Sequence, residues 1–149
     1  MSDRTVDTER HLRVASSKVR YATQALIYLA ANGAGRNVAV REIASEQSIP
    51  EKYLEMIVGE LRAGGIVESV KGKYGGFRLA RKASQIRLTD LFLILEASSM
   101  SDADGADGEP HPAIWTEINR KVTAILGDYT IADALLAEER RRGVVNYTI

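Results

Sequence analysis

The 149-residue chain contains no cysteine. Disulfides, thiolate metal sites and thiol redox switching are therefore excluded. Histidine is almost as scarce, with His11 near the N-terminus and His111 as the two examples. No Ser/His/Asp order, HExxH or DxDxDG pattern occurs, so catalysis has no constellation of groups to stand on and the chain is not expected to be an enzyme. The longest strongly apolar run, ALIYLAA from Ala25, is too short to span a bilayer. The opening MSDRTVDTERH lacks the apolar segment of a secretory signal, and the expected location is the cytoplasm. Net charge is zero as well.

That zero hides an uneven distribution. Residues 1–98 hold 15 Lys/Arg against 11 Asp/Glu, and residues 99–149 hold 5 against 9. The span from Arg62 to Arg87 alone has seven basic residues and one acid, Glu68. A basic stripe of this kind is the footprint of a nucleic-acid reader, although on charge alone a solvated charged face is an equal reading.

Four segments follow from the pattern. Residues 1–15 are polar and aperiodic and read as a flexible tail. Residues 16–97 read as a winged helix-turn-helix domain. In that span a helix capped by Ser16 or Ser17 runs to about Ala31, with Val19, Ala22, Ala25, Leu26 and Leu29 at helical spacing. A second helix, Val40 to about Gln47, buries Ile43 and Ala44. A third has Pro50 at its first position, Glu51 at the positive end of its dipole, and Gly64-Gly65 as its stop. Tyr53, Leu54, Ile57, Val58 and Leu61 form its apolar stripe, leaving Lys52, Glu55, Met56, Gly59 and Glu60 outward. Two short strands, 66–70 and 77–80, flank the tip KGKYGG, and a helix marked by Ile86, Leu88, Leu91, Phe92, Ile94 and Leu95 follows, with Thr89 or Ser84 near its start. Residues 98–111 break all periodicity and read as a mobile acidic loop. Its acids Asp102, Asp104, Asp107 and Glu109, with His111, lack the twelfth-position glutamate of an EF-hand, so no metal is expected. Residues 112–149 give a long helix from Pro112 with the stripe Ile114, Trp115, Ile118, Val122, Ile125 and Leu126. A last helix then carries a Thr130/Asp133 capping box and a Glu138–Arg142 pair.

The order helix, turn, proline-headed helix, basic hairpin fits a major groove and its neighbouring backbone. Lys52 can donate to guanine or phosphate, and Glu55 can accept from cytosine. Lys71 and Lys73 neutralise phosphates while Gly72, Gly75 and Gly76 let the hairpin tip approach closely. A phosphate cradle of another kind does not match, because the glycine spacing is neither GxGxxG nor Walker A. The stripe around Trp115 exceeds what a small domain obviously covers, and a second copy of the chain would bury it; folding back on its own domain is the competing reading.

The residues SSKVRYATQALIYLA from Ser16 and IASEQSIPEKYLEMIVGELRAGGIVESVKGKYGGFRLAR from Ile43 resemble the Rrf-two family of bacterial winged-helix regulators. The resemblance runs from about Ser16 to about Arg142. It implies a homodimer, usually a repressor, whose long helices pack on each other while wings and recognition helices read an imperfect palindrome. By position it implies base contacts at Pro50, Lys52 and Glu55, with Glu51 beside them, a supporting role for Tyr53, and a minor-groove role for Lys71 where relatives place arginine. It also implies a helix start near the DNA backbone at Lys18, Arg20 and Tyr21. Many members hold an iron–sulfur cluster through three loop cysteines. At their spacing from Trp115 this chain has Ala97, Ala103 and Glu109, with Pro112 in place of a histidine. Carboxylates are poor ligands for such clusters. The implied class is the clusterless branch, without cofactor, in which a protein partner or small molecule sets activity or repression is constitutive. The alternative expectation is a protein that acts mainly by binding a metabolic enzyme, with DNA binding secondary.

Overall fold

The Ser16 backbone is extended and its hydroxyl accepts from the Val19 amide, which satisfies one of the orphan donors at a helix start. Helix α1 therefore runs Ser17–Asn32 and buries Val19, Ala22, Ala25, Leu26 and Leu29. The computed structural model describes residues 10–97 and 112–143. The expectations of a mobile acidic loop over 98–111 and of a flexible tail over residues 1–9 lie outside the described residues.

Helix α2, Val40–Gln47, buries Ile43 and Ala44 as its spacing predicts. It ends on Ser48, whose φ of 53° is left-handed and whose amide donates to the Ala44 carbonyl. Helix α3 is Glu51–Ala63. Pro50 is its N-cap and not its first helical residue, which corrects the expectation: φ of −55° suits a helix, but ψ of 123° is extended and turns the chain out of α2. Leu54, Ile57, Val58 and Leu61 are buried, and Lys52, Glu55, Met56 and Gly59 are exposed. Glu60 departs from the expected outward set. It is half-buried because Lys18 of α1 reaches it. Gly65, with φ of 76°, takes the left-handed turn that ends the helix.

Strands β1, Val67–Val70, and β2, Gly76–Leu79, pair antiparallel with Val67 opposite Leu79 and Val70 opposite Gly76. Ile66 falls outside the expected first strand because its amide donates to the Leu61 carbonyl and so belongs to the helix end. The hairpin is not free-standing. Val38 and Phe77 exchange two backbone hydrogen bonds of 2.8 and 2.7 Å, which fastens β2 to the segment between α1 and α2. Asn37 donates from Nδ2 to the Tyr74 carbonyl at 3.1 Å and holds the tip.

A short 3-10 turn, Ala83–Gln85, precedes α4, Leu88–Leu95. Neither Thr89 nor Ser84 caps α4. Arg87 is the N-cap, and the Asp90 carboxylate accepts from its amide at 2.9 Å. Ile86 stays outside the helix because its carbonyl accepts from Ile131, just as the Tyr129 carbonyl accepts from Leu88. Helix α5, Ala113–Asp128, has no buried residue, whereas α6, Ile131–Arg141, packs along α1. Thr130 and Asp133 form the expected reciprocal cap. Glu138 pairs with Arg141 and not with Arg142. Arg142 lies past the helix as its C-cap, with its amide on the Glu138 carbonyl.

The core gathers Leu26, Ile43, Leu54, Ile57, Leu61, Ile66, Ile86, Leu91 and Ile131 around α1, which touches α2, α3, α4, α6 and β2. Gly76 is the tightest point of the wing. Its φ is 146°, and a Cβ there would lie 2.6 Å from the Val38 carbonyl. Gly76→Ala is expected to cost about 1–3 kcal/mol of stability through backbone strain and a displaced Val38–Phe77 pairing. Urea unfolding measures it, and a midpoint equal to wild type would contradict this account of the wing's anchorage.

Candidate nucleic-acid interface

The same burial that fixes α3 in the core decides its exposed face. With Leu54, Ile57, Val58 and Leu61 turned inward, the first turn and the following outward positions present Glu51, Lys52, Glu55, Met56 and Gly59 to solvent. Tyr53 is half-buried. Its ring meets that of Tyr21 edge-on, 5.7 Å between centroids at 82°, so these two residues brace α1 against α3. Glu51 lies 3.8 Å from Arg41 of α2, an exposed pair of little energetic weight.

Lys18 is committed elsewhere. Its ammonium lies 2.7 Å from the Glu60 carboxylate and also donates to the Leu95 carbonyl at 3.3 Å, tying α1 to α3 and α4. Arg20 is exposed and donates to the Ser17 hydroxyl. Next to it in sequence, Ser16 also bonds the Glu96 carboxylate at the end of α4.

The basic stripe divides in two. Arg78 stands directly opposite Glu68 across the hairpin and pairs with it at 2.9 Å. Arg62 donates to Ser69, and Arg81 lies 4.0 Å from Asp90. At the tip, Lys71, Gly72, Lys73 and Tyr74 are exposed, and Lys73 sits 5.7 Å from the Tyr74 ring. Among the described residues, Lys52, Lys71 and Lys73 have no acidic partner. The uncompensated positive charge is thus concentrated on the first turn of α3 and the tip of the wing. Gly75 and Gly76 are half-buried at the base of the tip.

Sequence reasoning passed over three supporting residues. Asn37, taken as a turn former, anchors the tip from 37 positions away. Arg36 and Tyr28 converge on Glu42. Both guanidinium nitrogens reach its carboxylate, at 3.0 and 2.7 Å, and the Tyr28 hydroxyl donates at 2.6 Å. The bonds from Arg36 first, then Tyr28, hold the Glu42 carboxyl down at about 2, from an ordinary 4.5. This cluster locks the loop that carries Asn37 and Val38. No local motif announces a pairing between residues so far apart.

On α5, Ile114, Trp115 and Ile125 are more than half exposed and Ile118 is 38% exposed. Val122 and Leu126 are half-buried. Leu126 packs on the core and shares an apolar groove with Val14, Val19, Ile27, Leu88 and Phe92.

A family model described as an iron-dependent transcriptional regulator, Rrf2, matches residues 15–137. The chain belongs to the Rrf2 family. Its curated relatives include protein rrf2 of Nitratidesulfovibrio vulgaris, 30% identical over 80% of this chain and 85% of the relative, and the HTH-type transcriptional regulator IscR of Escherichia coli, 28% identical over 83% and 81%. Among solved structures it is similar to T. potens IscR, with a TM-score of 0.71, 32% identity and coverage of 87% and 90%. It is likewise similar to CymR, the global cysteine regulator of B. subtilis, with 0.71, 29%, 85% and 98%. This Rrf2-family chain is a winged-helix transcriptional regulator, not an enzyme.

The family description invokes iron, and the donor set can be tested against it. A thiolate-held cluster does not fit, because the chain has no cysteine. Among the described residues no group of three or more His, Cys, Asp or Glu is placed to hold a metal, and the loop acids and His111 lie outside them. No helix among the described residues is long and apolar enough to cross a membrane.

The Glu42 cluster yields a pH dependence with a definite sign. Its folded carboxyl titrates below its unfolded value, so its contribution to stability is complete above about pH 4.5 and is lost as pH falls toward 2. Glu42→Gln is expected to lower stability at pH 6 and to flatten the decline between pH 5 and pH 2.5, read as urea midpoints (about 4.5 and 2 being the two carboxyl values). Parallel wild-type and variant curves would contradict it.

Proposed function

We propose that this protein is a homodimeric DNA-binding repressor of the cytoplasm that reads an imperfect palindrome without an iron–sulfur cluster. The observation that carries the reading is the placement of unpaired charge. Lys52 on the exposed first turn of α3 and Lys71 and Lys73 on the anchored wing tip stand free of acidic partners among the described residues, while Arg78 and Lys18 are engaged within the domain. A rigid helix with a polar outward face enters a major groove, and a basic hairpin beside it grips the flanking phosphates. Glu55 and Lys52 meet base edges; Pro50 and Glu51 set the angle and polarity of the helix start; Gly72, Gly75 and Gly76 let the wing approach the backbone. Arg20 and Tyr21 lie at the start of α1 near the duplex. Lys18, bound to Glu60, positions α1 and does not meet phosphate.

Dimerisation rests on α5. Ile114, Trp115, Ile118 and Ile125 leave a stripe that the protein's own core does not cover, continuous at Val122 and Leu126 with the apolar groove against α1 and α4. A second copy buries both and sets two recognition helices on one face of the duplex. Repression follows from occupying a promoter against polymerase.

Anisotropy titration with a duplex from the promoter of the protein's own gene tests this. Saturable, salt-sensitive, sequence-preferring binding is expected, and its absence would overturn the reading. In Lys71→Ala the slope of log affinity against log salt should shrink by about 0.9, the contribution of one phosphate contact. An unchanged slope removes the wing from the interface. Sedimentation velocity should give twice the monomer mass for wild type and a monomer for Trp115→Glu; a wild-type monomer would contradict the dimer.

A further inference from the structure

Between Ser16 and Ala80 the large hydrophobic side chains that stand exposed are Met56, at 47%, and Tyr74, at 82%. One lies on the outward face of α3 and the other at the wing tip. Elsewhere in this stretch large apolar side chains are buried or half-buried, so neither placement is a matter of an overfilled core. Met56 follows Glu55 and lies four residues after Lys52, so it continues the row of positions that face out from the first turn. Three residues further on is Gly59, exposed, where an added Cβ would meet nothing within 4 Å. Glycine inside a helix costs about 0.5–1 kcal/mol relative to alanine, and here it leaves open space beside the methionine. The row therefore reads cation, carboxylate, thioether, gap.

We propose that Met56 is a specificity-determining residue that recognises the 5-methyl group of a thymine in the major groove. The inference rests on the DNA-binding reading above and refines it. Base edges in the major groove differ by donors, acceptors and one apolar feature, the thymine methyl, and an apolar side chain is its natural contact. Lys52 and Glu55 serve the donor and acceptor positions, and neither can favour a methyl group. Methionine is unbranched and polarizable, so it adapts to a methyl without demanding one fixed rotamer. Its thioether gives up little hydration on docking, unlike the charged neighbours. Gly59 leaves the neighbouring base edge close to the helix backbone and keeps the methionine from being crowded by its own helix.

The test starts from a preferred site selected by the wild-type protein out of a random duplex pool. Each thymine of that site is then replaced singly by deoxyuridine, which removes the methyl and keeps the pairing edge. Affinity is measured at fixed salt for wild type, Met56→Ala and Met56→Leu. One thymine is expected at which loss of the methyl weakens wild type about 3- to 5-fold, the worth of one buried methyl. Met56→Ala should show no further loss at that position and should accept cytosine there as readily as thymine, whereas Met56→Leu should keep the methyl preference. A site at which no thymine responds, or at which Met56→Ala retains the full penalty, overturns the proposal while leaving DNA binding intact. A pool that yields no preferred sequence overturns the DNA-binding reading and this proposal together.

Discussion

Burial of Leu54, Ile57, Val58 and Leu61 is the constraint from which the rest of the molecule follows. These four side chains leave α3 a single orientation against α1 and α2. A helix rotated by one residue would place Lys52 or Glu55 in the core, where an unpaired charge costs several kcal/mol. The outward face is thereby determined before any ligand is considered. Two contacts make that orientation stiff. Lys18 and Glu60 bind α1 to α3 across the rim of the core, and the Tyr21 and Tyr53 rings close the gap beside them. These residues belong to the sequence stretches most reminiscent of nucleic-acid contact, yet their side chains act inside the domain.

The wing obeys a second constraint. A lone two-stranded hairpin is marginal in water. Here the backbone of Val38 adds a third partner to β2, and Asn37 holds the Tyr74 carbonyl. The loop supplying Asn37 and Val38 is in turn held by Arg36, Glu42 and Tyr28. The tip lysines are thus displayed on a braced support, and their charge is not cancelled by Glu68, which Arg78 occupies. Net charge of the whole chain says nothing about this, because the sum is zero while the arrangement is polar.

Much of this was legible from residue order. Periodic apolar positions marked α1, α2, α3 and the inner face of each, and the Thr130/Asp133 cap marked the start of α6. Local signals failed where backbone geometry answers to distant partners. Ser48 takes a left-handed φ that glycine usually supplies, so nothing in the residue type announced the end of α2. Ile86 carries the periodicity of α4 but bonds to Ile131, and the helix begins two residues later. Pro50 fits a helix by φ and leaves it by ψ, a distinction that composition does not carry. The proposed site was half legible. Lys52, Glu55, Lys71 and Lys73 were chosen from their types and spacing, and they are exposed. The engagement of Lys18 with Glu60 spans 42 positions, and only the packing of α1 on α3 brings it about. Met56 was read as outward-facing, but its meaning depends on what surrounds it on that face.

The central claim is that the outward face of α3 and the wing tip together form one surface for duplex DNA. Amide chemical-shift mapping of the full-length protein, titrated with a duplex to which it binds, tests this most directly. The account expects shifts concentrated at residues 50–59 and 71–76, with α6 unmoved. Shifts confined to α5 and α6, or spread without regard to these two segments, would contradict it.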